Sequence, residues 1–266
     1  METPVAPAPA HGLDTLAILD AVQRMYEDVA SCPTKSFHFP TGRAACLHVG
    51  YPAEELDAIP ATAVESFAGV GYPFAAGVIR EGDTVVDVGS GSGTDLLIAA
   101  LKTGPSGRVV GIDMTEAMVT KARANAERAG AAHVEVWQRD AERLPLEDGT
   151  ADVVTSNGVL NLVPDKAAAF REIGRVLRPG GRIQIADIVL WTPVPERSKG
   201  NAQLWAECIV GAEPEEAYLA LVREAGFEDV RVIDRLDYFA ESANEGTRRA
   251  ASQYGAHTVV LTAWKP

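Results

Sequence analysis

The stretch Thr84-Val-Val-Asp87-Val-Gly89-Ser90-Gly91-Ser-Gly93-Thr94-Asp95 constrains this chain most, because Leu96-Leu97-Ile98-Ala99-Ala100-Leu101 follows it at once. An apolar run that breaks into alternating glycines and then becomes a long apolar segment reads as a buried strand, a tight turn and a helix. Glycine is needed where the backbone turns that sharply and a ligand must touch the main chain. Behind the turn, the helix N-terminus offers unpaired N–H groups and the positive end of its dipole. The spacing separates two ligand classes. A dinucleotide turn carries G-x-G-x-x-G, with pyrophosphate on the helix N-terminus. Here the third glycine comes one residue early, and Thr94 stands where the dinucleotide glycine belongs. Asp87, at the strand end, suits a cationic or zwitterionic ligand better than a diphosphate.

Past the turn, strand and helix patterns alternate, which predicts a doubly wound, mostly parallel α/β sheet with helices on both faces. Strands are expected over 108–113, 133–138, 152–156, 182–190, 229–233 and 257–264. Helices are expected from Thr115 to Gly130, from Asp165 to the Arg178-Pro179-Gly180-Gly181 stop, and over 215–225. Residues 236–255 read as a polar loop with one helical turn. Upstream, 1–12 is a Pro/Ala-rich disordered tail, and 13–73 is a helical cap or lid. Its first helix, 13–30, carries Leu16, Leu19, Val22 and Tyr26 at helical spacing; it either closes the site or packs on the sheet edge. Residues 31–60 read as irregular, 61–68 as a short helix and 69–73 as a loop. Residues 74–266 then form the binding domain. A Pro-rich insertion at 191–212, with a helix holding Leu204, Trp205, Cys208 and Ile209, is expected to be a substrate wall.

A length of 266 residues allows a sizeable core, and no apolar run approaches the length that spans a bilayer. The net charge of −13 argues against nucleic acid and anionic membranes as partners and for a small-molecule substrate. Three cysteines, Cys32, Cys46 and Cys208, are too few for a disulfide framework and lack zinc spacing, so no metal is expected. With no secretory signal in view, the expectation is a cytoplasmic protein of undetermined oligomeric state. Asp113, about 20 residues beyond the last glycine at a strand end, suits two ribose hydroxyls, with a helix-capping aspartate as the plainer reading. Ser156 and Asn157 end the fourth strand at the ligand crevice or cap the next segment.

With these motifs in register, the chain resembles class I S-adenosylmethionine (SAM) methyltransferases over roughly 84–233. Within them it is most similar to the arsenite methyltransferases. The stretches that carry this are Gly111-Ile-Asp113-Met114-Thr115-Glu116, Ser156-Asn157-Gly158-Val159-Leu160-Asn161-Leu162-Val163-Pro164-Asp165-Lys166 and Leu204-Trp205-Ala206-Glu207-Cys208-Ile209-Val210-Gly211. The resemblance implies a Rossmann-like fold with a seven-stranded sheet and SAM as cofactor. It implies cofactor contacts from Asp87, Gly89, Ser90, Gly91, Gly93, Asp113, Met114, Asp140, Ala141, Ser156 and Asn157, with Asp140 accepting from the adenine amine; as a bare residue Asp140 is equally a turn former.

That family holds trivalent arsenic with cysteines at four positions. Cys46 and Cys208 match two of them, as substrate thiolates; Val70 and Gly158 stand at the other two, and Ala68 replaces an expected aromatic. Val70, Gly158 and Trp205 are then expected in the substrate pocket. Soft thiolates select soft centres and inorganic arsenite prefers three, so two point to a methylated arsenical. Burial alone also explains Cys208. His38 and His48 are the candidate general bases, each also readable as an ordinary loop histidine. Three readings stay open: methylation of a thiol-bound arsenical, methylation of a small organic molecule with the cysteines structural, and SAM binding without catalysis.

Overall fold

The computed structural model describes residues 14–266 apart from 207, 241 and 243; the expected tail at 1–12 lies outside the described residues. The N-terminal cap is α1 (Thr15–Ser31), α2 (Gly42–His48), α3 (Ala53–Asp57) and α4 (Ala61–Val64). Asp14 caps α1 by accepting from Ala17 N. The span 31–60 is therefore not irregular throughout: α2 and α3 are short helices whose buried residues, Ala45, Cys46 and Leu56, come at spacings too brief for a periodic signal. A 3₁₀ turn, Pro73–Ala76, leads into the sheet.

The alternation then runs β1 (Thr84–Val88), α5 (Thr94–Thr103), β2 (Arg108–Asp113), α6 (Glu116–Arg128), β3 (Val134–Gln138) and β4 (Ala151–Asn157). It continues with α7 (Lys166–Val176), capped by Asp165, and β5 (Leu177–Val189). The insertion holds α8 (Glu196–Lys199) and α9 (Ala202–Ala206), and the chain ends with α10 (Glu215–Glu224), β6 (Glu228–Leu236), α11 (Glu245–Tyr254) and β7 (His257–Trp264). The seven strands lie in the order β3-β2-β1-β4-β5-β7-β6, with β7 antiparallel to both of its neighbours and the remaining pairs parallel. That is the mostly parallel seven-stranded sheet expected from the resemblance.

Two details differ from the sequence reading. The polar stretch before β7 forms the full helix α11, capped by Asn244 and stopped by Gly255; its low apolar content hid it, since only Thr247 and Ala251 are buried. The insertion helix stops at Ala206, so Cys208 lies beyond it in a turn, with φ 71.

The sheet carries a core on each face. On one side Val85, Val109 and Val153 pack against α5, α6 and the cap; on the other Val86, Val110 and Val154 meet Phe170 and Ile173 of α7 and Tyr218 and Val222 of α10. Successive strand residues alternate faces, so both cores are filled from the same strands. Far from the glycine turn, buried Arg182 on β5 donates to Val78 O (2.9 Å) and pairs with Asp83 just before β1. This ties β5 to the segment entering β1.

Candidate functional site

A cleft opens at the carboxyl ends of β1, β2 and β4, where ligands of open α/β sheets bind. Its sheet wall is the glycine turn. Gly89 N and Ser90 N both donate to Ile112 O (2.7 and 2.9 Å), and Gly91 N donates to Asp113 Oδ2 (2.9 Å). Gly89 has φ 77, and a Cβ there would lie 2.1 Å from Val159 Cγ2, so only glycine fits against the segment after β4. From outside, Asn125 Nδ2 holds Ser92 O (2.9 Å), while the Ser92 and Thr94 hydroxyls donate to Ala63 O.

Three carboxyls gather around this turn, each in a different state of satisfaction. Asp113 lines the cleft and accepts from Gly91 N and Thr115 N, one bond to each oxygen, which leaves further lone pairs. Asp95, in the first turn of α5, accepts from Tyr51 Oη and from Asn157 Nδ2 (3.0 Å). Burial raises its carboxyl to about 6, and those two hydrogen bonds oppose the rise. Asp87 is fully buried, and no donor reaches its Oδ2 among the described residues. Burial first, then the neighbouring Asp95 and Asp113 charges, hold it well above the usual carboxylate range.

Asn157 links the sheet to the cap. Its Oδ1 accepts from Val70 N and Gly71 N (2.8 and 3.2 Å), while its Nδ2 reaches Gly71 O (2.9 Å), Tyr51 Oη (3.0 Å) and Asp95. One amide thus fixes the 70–71 loop against the end of β4. Opposite the glycine turn, the cap wall is apolar: Leu19, Val22 and Tyr26 of α1, with Phe67, Ala68, Leu162 and Val163.

Of the residues expected at the cofactor, Gly89, Ser90, Gly91, Asp113, Met114, Asp140, Ala141 and Asn157 line the cleft. Asp140 also closes its own turn by accepting from Glu142 N (2.9 Å). Gly93 is the N-cap of α5, behind the turn. Ser156 is not brought to the cleft: it is buried and donates its hydroxyl to Val88 O (2.9 Å), across the sheet. Asp87 lies beneath the cleft floor rather than on it.

The expected substrate residues divide more sharply. Gly158 lines the cleft, and a Cβ on it would lie 3.1 Å from Val70 Cγ1, so those two positions touch; Val70 itself is buried under the loop. Trp205 is buried in packing, its Nε1 donating to Leu162 O (2.9 Å) and its ring under the Lys166 ammonium at 5.0 Å. Neither cysteine side chain lines the cleft. Cys46 is fully buried with Tyr51 and Asp95 nearby, and burial raises its thiol well above the ordinary value. Cys208 lies by Tyr26 and Tyr238, and its Sγ donates to Ala206 O (3.8 Å). Tyr26 and Asp95 both line the cleft, so Cys208 stands behind the α1 wall and Cys46 behind the first turn of α5. His38 and His48 do not line the cleft, and burial holds His38 down at about 4.

Tyr51 and Asp95 are site residues that sequence reasoning does not single out for the site, whereas Tyr26 lies on the helix expected to close it or to pack on the sheet edge. Asp95 stands in the organising stretch, but an acid in a first helical turn reads as a partner of the dipole.

A model of the methyltransferase domain family matches residues 79–226. The arsenite methyltransferase of Halobacterium salinarum is 39% identical over 187 residues, covering 70% of this chain and 48% of that protein. That of Aquipseudomonas alcaligenes is 36% identical over 171 residues, 62% of this chain and 49% of that protein. The chain therefore spans about half the length of these relatives. Among solved structures, the arsenic(III) S-adenosylmethionine methyltransferase of Chlamydomonas reinhardtii superposes with a TM-score of 0.63 at 28% identity, covering 85% of this chain and 74% of that one.

The residues present fit SAM. The buried, unpartnered Asp87 Oδ2 and Ser90 Oγ wait at the turn for a polar ligand. At Gly91, with φ 51, nothing lies within 4 Å of where a Cβ would stand. An acid below an open, Cβ-free turn suits an ammonium group, and Asp113 suits a ribose. By the family model over more than half of its length, the chain belongs to the methyltransferase domain family, and within it is similar to the arsenite methyltransferases.

Proposed function

We propose that the protein methylates a trivalent arsenical, a methylated one in preference to inorganic arsenite, with Cys208 as the substrate thiolate. The observation that carries this reading is the place of Cys208, beside the cleft-lining Tyr26 of α1. The relatives named as arsenite methyltransferases support the substrate class. The preference rests on the single thiol behind the α1 wall. Val70 and Gly158 meet as an apolar contact where the family pattern has thiols, and Cys46 is buried among Tyr51 and Asp95. One thiol cannot replace all three oxygens of arsenite, whereas a methylarsenical has already exchanged one for carbon.

SAM supplies an electrophilic methyl group on a sulfonium. The protein's share is placement: Asp87 and Asp95 draw the ammonium end to the glycine turn, Asp113 holds the ribose, and Asp140 with Ala141 takes the adenine edge. The cap, α1 to α4 with the 69–71 loop, serves as a lid that excludes water and lines up the acceptor, so that rate comes from proximity and orientation rather than from acid–base groups. A small acceptor also agrees with the net charge of −13, and a reducing, cytoplasmic setting keeps the thiol available.

The test is methyl transfer from labelled SAM to methylarsonous acid, to arsenite and to a panel of organic nucleophiles. Methylarsonous acid is expected to be the best acceptor. No transfer to either arsenical, with an organic acceptor turning over in the Cys46→Ser/Cys208→Ser double variant, would overturn the metalloid reading.

A further inference from the structure

Cys208 holds a backbone conformation that its side chain disfavours. Among described residues outside glycine, only Cys208 (φ 71) and Asp229 (φ 51) have positive φ. Asp229 is of a type that tolerates the left-handed region and is itself paired with Arg231. A cysteine gains nothing there by itself, so its surroundings must impose the geometry. Asn161, fully buried, donates from Nδ2 to Cys208 O (3.1 Å), and its own N–H is anchored on Asp187 Oδ2 (2.8 Å). Asp187 is held in turn by the Tyr218 hydroxyl (2.7 Å). Gly211 completes the interlock: a Cβ there would lie 2.7 Å from Trp205 Nε1 and 2.8 Å from Asn161 O. The 160–166 and 205–211 segments are thus locked together, and the lock fixes the direction of one thiol.

Two buried polar atoms near Cys208 make no hydrogen bond among the described residues. Tyr238 is 1% exposed and Asn161 is 0% exposed, yet neither Tyr238 Oη nor Asn161 Oδ1 makes a hydrogen bond among the described residues. Tyr238 and Tyr26 are both close enough to Cys208 to feel its charge. A buried phenol with an unmade hydrogen bond is costly and unusual in a settled core. Beside a thiol at the wall of a cleft, it is a place prepared for an oxygen atom that arrives with a ligand.

We propose that Tyr238 is a substrate-positioning residue, whose hydroxyl donates to the oxygen that a trivalent arsenical keeps when it is bound through the single thiol of Cys208. The proposal rests on the arsenical reading above and says what completes the site that one thiol leaves unfinished. On binding, the S–As bond forms and one As–OH bond breaks; the hydroxide leaves with the thiol proton as water, and arsenic stays trivalent. Methylarsonous acid has two hydroxyls, so one remains on arsenic for Tyr238. Dimethylarsinous acid has one hydroxyl, so none remains.

This difference makes the test. Calorimetric titrations of methylarsonous acid and dimethylarsinous acid are run on the wild-type protein, on Tyr238→Phe and on Cys208→Ser. Tyr238→Phe removes only the unpartnered hydroxyl and keeps the ring that stacks edge-on against Phe239, so the fold and the SAM affinity should be unchanged. The expected result is a loss of about tenfold in affinity for methylarsonous acid, none for dimethylarsinous acid, and loss of both in Cys208→Ser. A Tyr238→Phe variant that weakens both arsenicals equally, or neither, overturns the role of Tyr238 while leaving the arsenical reading in place. Wild-type protein that binds neither arsenical overturns both.

Discussion

The two walls of the cleft are built in different ways. The sheet wall is made by one continuous stretch, 87–95, together with Asp113, and at the turn itself its donors are backbone: Gly89 N and Ser90 N to Ile112 O, Gly91 N to the Asp113 carboxylate. The cap wall is assembled from segments far apart in the chain, α1, 66–69, 157–163 and the Cys208 turn, and side chains hold it. Lys121 of α6 reaches Ser66 Oγ (2.8 Å), Ala30 O (3.3 Å) and Glu65 (2.6 Å). A wall fixed by its own backbone tolerates little variation. A wall fixed by side chains can change its lining while the cofactor half stays as it is.

The comparison can be broken first at the thiols. Cys208→Ser should lower transfer to methylarsonous acid by a factor on the order of 100 or more, because a hydroxyl is a hard, protonated donor. Cys46→Ser, made in a buried site off the cleft, should change it only a few-fold; steady-state rates on both variants decide, and equal losses would put both thiols at one site.

The sheet wall is tested next. Asp113→Ala should weaken SAM binding by about 1.5 to 3 kcal/mol through lost charge-assisted hydrogen bonds, read by calorimetry, with NAD failing to compete. Unchanged affinity would take Asp113 out of the cofactor site.

A smaller effect should come from pH. An ammonium pairs with an ionised carboxylate, and Asp95 titrates at about 6, so SAM affinity should be full above about pH 7 and fall roughly tenfold toward pH 5. Stability of the ligand-free protein should move the opposite way. The folded Asp95 binds its proton more tightly than the unfolded chain, whose value is 3.8, so this contribution is present below about pH 4 and is lost as pH rises through about 6. Affinity that is flat from pH 5 to 8 would mean Asp95 does not face the ammonium.

The smallest effect should come from loosening the cap. Lys121→Met removes its bonds to Ser66, Ala30 and Glu65, at a local cost of about 1 kcal/mol. Amides of 15–31 and 61–69 should then exchange faster with little shift in melting temperature. Protection equal to wild type would show that packing alone holds the cap.

Legibility in the sequence divides along the same line as the two walls. The turn at Gly89-Ser90-Gly91, the acid Asp113 at the next strand end and the N-cap Asp165 are local patterns, and each is readable in place. Asp95 is not, because its role comes from Asn157, 62 positions away, and Tyr51, 44 positions away. Spacing puts Ser156 at the crevice, but strand alternation turns its hydroxyl to Val88 O. Cys208 reads as one face of a helix; the helix ends at Ala206, and the contact with Asn161, which no periodicity encodes, sets its direction. Helix α11 escapes the sequence reading because a mostly exposed helix shows caps but little apolar stripe.

The strand order has a consequence for synthesis. β5, rich in isoleucine and buried along most of its length, ends at residue 189, and its neighbour β7 begins at residue 257. At roughly 5 to 20 residues per second, the ribosome leaves that edge uncovered for about 3 to 14 seconds. β6 emerges in the interval, but its place is on the far side of β7. Until β7 arrives, the exposed edge of β5 is an open template for strand pairing, so the newborn protein carries an unpaired, buried-type strand edge until its last strand is made.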